Sequence, residues 1–279
     1  RKDFVAGIGT QIAGALGFVT NFYEILSGGS YESQFVPHLF VHTWSLALEV
    51  HYYILWGLAV WFLAKKSRSL GQFRGMIFLI STGIFLFSFL SMFVSSFFTK
   101  NFSSLYFSSW THIFPFFAGT ALATVSGVQN VGANFKKLEQ SWSMKQTIAT
   151  IGGGFAVLIL LTFLLRFDNI FTYLVGFLLA TIAALAMILG ARVLHEKTPK
   201  LEEPIWVTFI ADTSYGVYLF HWPFYIIFSQ LMGNAGAVVL TTLLSFAFAD
   251  LHTSEKDRLW IFPRTDSYLL VLYHWLASK

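Results

Sequence analysis

The stretch HTWSLALEVHYYILWG, residues 42–57, puts a carboxylate, Glu49, and two imidazoles, His42 and His51, at the head of an apolar run. A neutral imidazole can take a proton from a hydroxyl, and a carboxylate can hold that imidazole in place. On a helix, His42, Ser45, Glu49 and Trp56 share one face, because they follow steps of three, four and seven. His51 sits two residues from Glu49 and turns to another face with Leu55 and Leu58. An ionised Glu at membrane depth costs about 2.5 kcal/mol or more unless it is paired or hydrated. Glu49 is therefore expected to face a bundle interior or a wet cavity. The plainer reading is a structural hydrogen bond to a neighbouring helix.

A second stretch, DTSYGVYLFHWPFYIIF (residues 212–228), has the same character. Ser214, Tyr218, His221 and Tyr225 are spaced four, three and four, which lines them up as one polar stripe on a helix. Pro223 removes a backbone N–H and is expected to kink the helix beside His221. At 1.5 Å per residue, His221 lies roughly 15 Å and Glu49 roughly 9 Å below the outer edge of the membrane. The plainer readings are an interhelical hydrogen bond for His221 and interfacial anchoring for the Trp and Tyr residues. His112, followed by Pro115 in SSWTHIFPFF, is either a third wall of the same outer cavity or a packing residue, and packing is preferred. Pro115 is again expected to kink its helix. Arg166 and Asp168 read as a solvated turn, and Asp250 as the membrane edge. Nothing in the spacing brings Glu49 and His221 together.

The elements that would carry these residues are legible from composition. Of 279 residues, 56% are hydrophobic and 11% charged, where soluble domains run near one-quarter charged. The mean hydropathy is +0.64. Apolar runs of about 20 residues recur along the chain, the length a membrane helix needs. The expectation is an all-α, polytopic transmembrane helical bundle of about eight spans, near 4–22, 44–64, 76–98, 106–126, 147–165, 170–191, 206–230 and 235–250. The first is the weakest, with Gln11, Asn21 and several glycines, and the last is short enough to be a core or re-entrant helix. Alternate connections then hold 15 of the 18 Lys and Arg residues, so that side is expected to be cytoplasmic.

Absences narrow the chemistry. With no cysteine, disulfides, thiolate metal sites and a cysteine nucleophile are excluded. The net charge of +4 reads as topology signal rather than as a nucleic-acid surface. IGGGF, residues 151–155, follows no strand, so it reads as helix packing rather than a phosphate cradle. No nucleophile elbow, HExxH or Walker pattern occurs, and no metal site is expected.

The two polar stretches together resemble the acyltransferase 3 family of membrane O-acyltransferases. Ser45, Leu46, Glu49, Tyr53 and Trp56 match its S-L-x-x-E-x-x-F-Y-x-x-W-P motif, with Tyr52 in place of Phe, Gly57 in place of Pro and His51 where Gln is common. Ser214, Tyr215, Tyr218, Leu219, His221, Trp222 and Pro223 match its late S-Y-x-x-Y-L-x-H-W-P helix. GFVTNFYEILSGGSYESQ is similar to the segment before the first motif, and the resemblance runs over about residues 1–250. It implies transfer of an acetyl or other acyl group from acyl-CoA, most often acetyl-CoA, to a carbohydrate hydroxyl at the outer face. The nearest likeness is to peptidoglycan O-acetyltransferases. It implies that Glu49 and His221 are catalytic, and that His42, Ser45, His51, Tyr53, Ser214, Tyr218 and Trp222 contact substrate. The implied setting is a bacterial cell membrane, with membrane lipid, a carbohydrate acceptor and an extracellular esterase-like domain or protein as partners.

Two departures accompany the likeness. The family's earlier helices, which carry an Arg…His motif, have no counterpart, so the chain is expected to be N-terminally incomplete. Residues 251–279 turn polar and are expected to form a divergent tail to a 1–250 acyltransferase domain. The other readings are a secondary transporter or exporter of a sugar-type substrate, whose polar residues would line a path, and an inactive fragment of the enzyme.

Overall fold

A computed structural model describes residues 7–28, 38–99, 101–127, 133–200 and 204–259, the backbone alone at 133–134 and 252–259. All regular structure among the described residues is helical. Five helices there are long and apolar enough to cross a membrane: Val41–Lys66, Leu70–Phe98, Met144–Leu164, Thr172–Lys197 and Asn234–Leu251. The chain is thus a multi-pass, all-α membrane protein. Its described residues divide into two compact units, one up to residue 200 and the other from residue 204 on.

The first unit opens with α1 (Ile8–Leu16) and α2 (Thr20–Ser27). This corrects the expected span over 4–22. The helix stops at Gly17, and Phe18 takes a left-handed φ of 53°, a conformation costly for a side chain with a Cβ. At 1.5 Å per residue, neither piece is long enough to cross a bilayer. A 3-10 turn at Val41–Thr43 leads into α3 (Trp44–Lys66), then α4 (Leu70–Phe98). Ser69 caps α4 by accepting from the Gln72 N–H at 3.2 Å, the kind of contact worth about 1 kcal/mol. At the other end of α3, Lys65 sits 3.9 Å over the Trp61 ring.

The expected span over 106–126 is also broken. It is three helices: α5 (Phe102–Phe107), α6 (Ser109–His112) and α7 (Phe114–Ser126). Pro115 lies in the first turn of α7, so it starts a helix instead of kinking one. After α8 (Ala133–Ser141) come α9 (Met144–Leu164) and, through a π turn at Thr172–Gly176, α10 (Phe177–Lys197). Ser143 and Gln146 form a reciprocal capping box on α9. Helices α9 and α10 close on each other at Gly154, where a Cβ would meet the Ala183 carbonyl oxygen at 2.9 Å. Gly152 and Gly153 face open space, so IGGGF is a packing feature with one working glycine. The core of this unit is Met92, Leu105, Phe114 and Tyr173, flanked by Phe85, Phe89, Phe102, Tyr106 and Phe177.

The second unit is a pair of long helices, α11 (Ile205–Leu231) and α12 (Asn234–Leu259). Helix α11 has 27 residues, ample to span, but Asp212, Ser214, His221 and Gln230 keep it out of the apolar set. It runs continuously through Pro223. Ala237, Thr241, Ser245 and Ala249, four apart on α12, form its buried stripe. Gly216 packs against Ala249 so closely that a Cβ there would lie 2.6 Å from the alanine methyl. The apolar part of α12, Asn234–Leu251, matches the expected span at 235–250, and the helix continues to Leu259.

Candidate active site

The densest polar assembly lies in the first unit around α2, and the sequence motifs did not single it out. Glu24 is fully buried. Its two oxygens lie 2.9 and 2.8 Å from Nδ1 of His38. The His38 side chain keeps 18% of its surface exposed, against 1% for Glu24. One residue on, the Leu39 N–H donates to Oε1 of Gln11 at 2.8 Å. Thr43 donates to the Phe40 carbonyl at 2.8 Å, so its oxygen accepts from the Thr20 hydroxyl, also 2.8 Å away. Asn21 donates through Nδ2 to the Ser109 hydroxyl at 2.9 Å. Helix α2 thus ties the segment 38–43 and the start of α6 to itself. Gln11 Nε2 and Asn21 Oδ1 are buried and have no partner among the described residues. Unpaired buried polar atoms are uncommon and call for an explanation.

The signal for this cluster was present in the sequence. Gln11 and Asn21 weakened the reading of 4–22 as a span, and Asn21 and Glu24 are three apart on one helical face. Their partners, His38 and Ser109, are 14 and 88 residues away, and no periodicity reports such pairs.

On α3, Glu49 is half-buried and receives a hydrogen bond from the Tyr53 hydroxyl, one turn along the same helix. The expected partner on a neighbouring helix is instead a partner on its own. His42 is buried in the 3-10 turn ahead of α3. Residues three apart eclipse one another in such a turn, so His42 and Ser45 keep the common face inferred for them. The Ser45 hydroxyl lies 3.4 Å from the His42 carbonyl. Trp56 belongs to a different contact. With Tyr52 it packs on Phe117 of α7, at 5.1 and 5.4 Å between rings. The Tyr52 and Thr120 hydroxyls are 2.7 Å apart. His51 rests on Phe22 of α2 at 5.7 Å rather than beside Leu55 and Leu58, which stay exposed.

His112 is enclosed by Trp44, Tyr106, Phe114 and Phe177, with ring centroids 5.2, 5.5, 6.4 and 4.6 Å away. This is the packing reading. Arg166 and Asp168 are exposed in a turn closed by Thr172, whose hydroxyl donates to the Arg166 carbonyl at 2.7 Å. Asp250 is exposed.

In the second unit, His221 Nδ1 lies 2.6 Å from the Tyr218 carbonyl and 3.2 Å from that of Val217. A carbonyl only accepts, so Nδ1 carries the proton and Nε2 the lone pair. The Tyr218 and His221 rings are 5.8 Å apart, and Trp222 stands beside Tyr225 at 5.9 Å. Ser214 is exposed and donates to the Ala211 carbonyl at 2.8 Å. The stripe inferred from spacing is present, and Ser214 and His221 both bond to carbonyls of their own helix. Glu49 and His221 belong to different units. Among the described residues no three His, Asp or Glu side chains gather as they would around a metal ion.

Comparison with known proteins gives a consistent result. The profile of the acyltransferase domain family matches residues 4–252. The O-acetyltransferase OatA of Staphylococcus aureus (strain NCTC 8325) is 28% identical over 226 residues, covering 80% of this chain and 36% of OatA. A second S. aureus protein (strain COL), provisionally named an O-acetyltransferase, is 30% identical over 228 residues, covering 79% of this chain and 35% of its own. The chain thus spans about a third of the length of the curated relatives it matches. No solved structure matches.

Proposed function

The chain belongs to the acyltransferase domain family, and from that membership we propose that it is the membrane part of an O-acetyltransferase acting on a cell-envelope carbohydrate such as peptidoglycan. The observation that carries the reading is the match over 4–252, which contains both polar stretches. The donor is acyl-CoA, most simply acetyl-CoA, and no further cofactor is called for. The protein sits in the bacterial cell membrane, in contact with lipid and alongside an extracellular esterase-like domain or protein. The acyltransferase domain is residues 1–250, with 251–279 as its tail.

The residues support a division of labour. Lys65, Lys66, Arg68 and Arg74 cluster at and just after the end of α3, which supports a cytoplasmic position for that end. The start of α3, with His42 and Ser45, then faces the acceptor side. Glu49, oriented by Tyr53, holds an acceptor hydroxyl or a base. His221, with its lone pair on Nε2, is a second proton acceptor. His42, Ser45, His51, Ser214, Tyr218 and Trp222 contact the sugar and the acyl group. The test is expression of the full-length gene in a strain without its own O-acetyltransferases, with alkali-released acetate measured on purified peptidoglycan. Glu49→Gln is expected to lower that acetate at least about a hundredfold, the low side for loss of a group in proton transfer. Unchanged acetate at normal expression removes Glu49 from the site.

A further inference from the structure

We propose that His38 and Glu24 form a base and its positioning residue for the acceptor hydroxyl, an inference that rests on the acyltransferase reading above. Three features of the dyad support it. Both Glu24 oxygens lie within 2.9 Å of one ring nitrogen, Nδ1. An ionised carboxylate only accepts, so Nδ1 carries the proton and the lone pair of the neutral ring falls on Nε2. The carboxylate is buried while the imidazole remains partly exposed, at 1% and 18%. A purely structural ion pair has no need for that asymmetry, and a base needs it, because its outer nitrogen must reach a substrate proton. The dyad also sits in the cluster that holds the unpaired Gln11 Nε2 and Asn21 Oδ1, one donor and one acceptor suited to hydroxyls of a bound sugar.

The segment carrying His38 is held in place from both sides. Gln11 anchors Leu39 and Thr20 anchors Thr43. The Tyr23 ring lies 5.5 Å from the imidazole. The same segment leads through His42 into α3, whose opposite end carries the basic residues. The dyad is therefore on the acceptor side of the protein. In the step itself, Nε2 takes the hydroxyl proton as the oxygen bonds to the carbonyl carbon of an acyl thioester. The carbon–sulfur bond breaks, and the proton passes from the imidazolium to the leaving sulfur.

The experiment uses membranes containing the full-length protein, acetyl-CoA as donor and soluble peptidoglycan oligosaccharides as acceptor. His38→Ala is expected to lower kcat about a hundredfold or more, the size of a general-base contribution, with KM for the oligosaccharide little changed. His38→Asn keeps an N–H where Nδ1 donates to Glu24, so it should fold like the parent and lose kcat as His38→Ala does. Added imidazole should restore part of the rate to His38→Ala. Glu24→Gln should lower kcat about tenfold with KM unchanged, as a misoriented base would. If His38→Asn keeps parental kcat in a protein that transfers acetyl, the dyad is structural and the acyltransferase reading stands. If the parent protein transfers no acetyl at all, both the acyltransferase reading and this role for His38 fall.

Discussion

The two polar regions differ in where their partners come from. Around α2, four side-chain ties cross between segments: Glu24 to His38, Gln11 to Leu39, Thr20 to Thr43, Asn21 to Ser109. On α11, Ser214 and His221 bond to carbonyls three and four residues back on their own helix. A tie that crosses segments fixes tertiary structure as well as the side chain, and its loss leaves a buried group without its partner. A tie to the helix's own backbone only sets a rotamer and a tautomer. The first region should therefore respond to mutation through stability as well as activity, and the polar stripe of the second through activity alone.

The sharpest way to break that contrast is His38→Leu. It removes one member of a pair whose carboxylate is fully buried. Losing one partner of a buried pair costs about 3 kcal/mol or more. The thermal midpoint of the detergent-solubilised protein should fall clearly, and Glu24→Leu with His38→Leu should recover much of the loss. A midpoint equal to that of the parent would show that the dyad does not hold the segment 38–43.

Second in size is Gly216→Leu, which asks whether the second unit has a tertiary weak point of its own. A Cβ alone would lie 2.6 Å from the Ala249 methyl. Overpacking of that kind costs about 2 kcal/mol. The fall in thermal midpoint should therefore exceed that of any polar substitution on α11. The reverse ranking would mean that the polar stripe, not the glycine contact, joins α11 to α12.

What the sequence made legible follows the same division. Apolar runs and helical periodicity identified the helices at 44–64, 76–98, 147–165 and 170–191, which appear as α3, α4, α9 and the π turn with α10. They also placed Tyr218 beside His221, three residues apart. They failed at 4–22 and 106–126. There the backbone breaks, at Gly17 and Phe18 in one case and at the Ser108 cap and Pro115 in the other. Hydropathy counts apolar residues and is blind to such breaks. The Glu24–His38 pair was missed because only folding brings it together, and because Gln11 and Asn21 read as a weak span rather than as a buried site. Within α3 the Glu49–Tyr53 contact, one turn apart, is of the kind helical spacing allows, although the motif reading did not single it out.

Third comes the pair of hydroxyls at Thr20 and Thr43, 2.8 Å apart and both buried. A neutral hydrogen bond contributes about 1 kcal/mol net. Thr20→Val strands the Thr43 oxygen without its donor, while Thr20→Val with Thr43→Val removes both. The double-mutant cycle should show a coupling of about 1 kcal/mol, read from thermal midpoints. Zero coupling would remove this tie from the set that makes the first unit respond through stability.

The smallest expected effect on stability is the most direct test of the second unit. Ser214 is exposed and its hydroxyl donates to the Ala211 carbonyl on the same helix. Serine in mid-helix offers its backbone a competing hydrogen bond, and alanine is the better helix former. Ser214→Ala should therefore change stability by no more than about 0.5 kcal/mol, as surface substitutions usually do. If Ser214 contacts the acceptor sugar as proposed, the same substitution should raise KM for oligosaccharide acceptors severalfold while the thermal midpoint stays put. A parallel fall in midpoint and activity would mean that α11 uses its polar stripe as α2 does, to hold the structure. The contrast between the two regions would then fail on the side of α11.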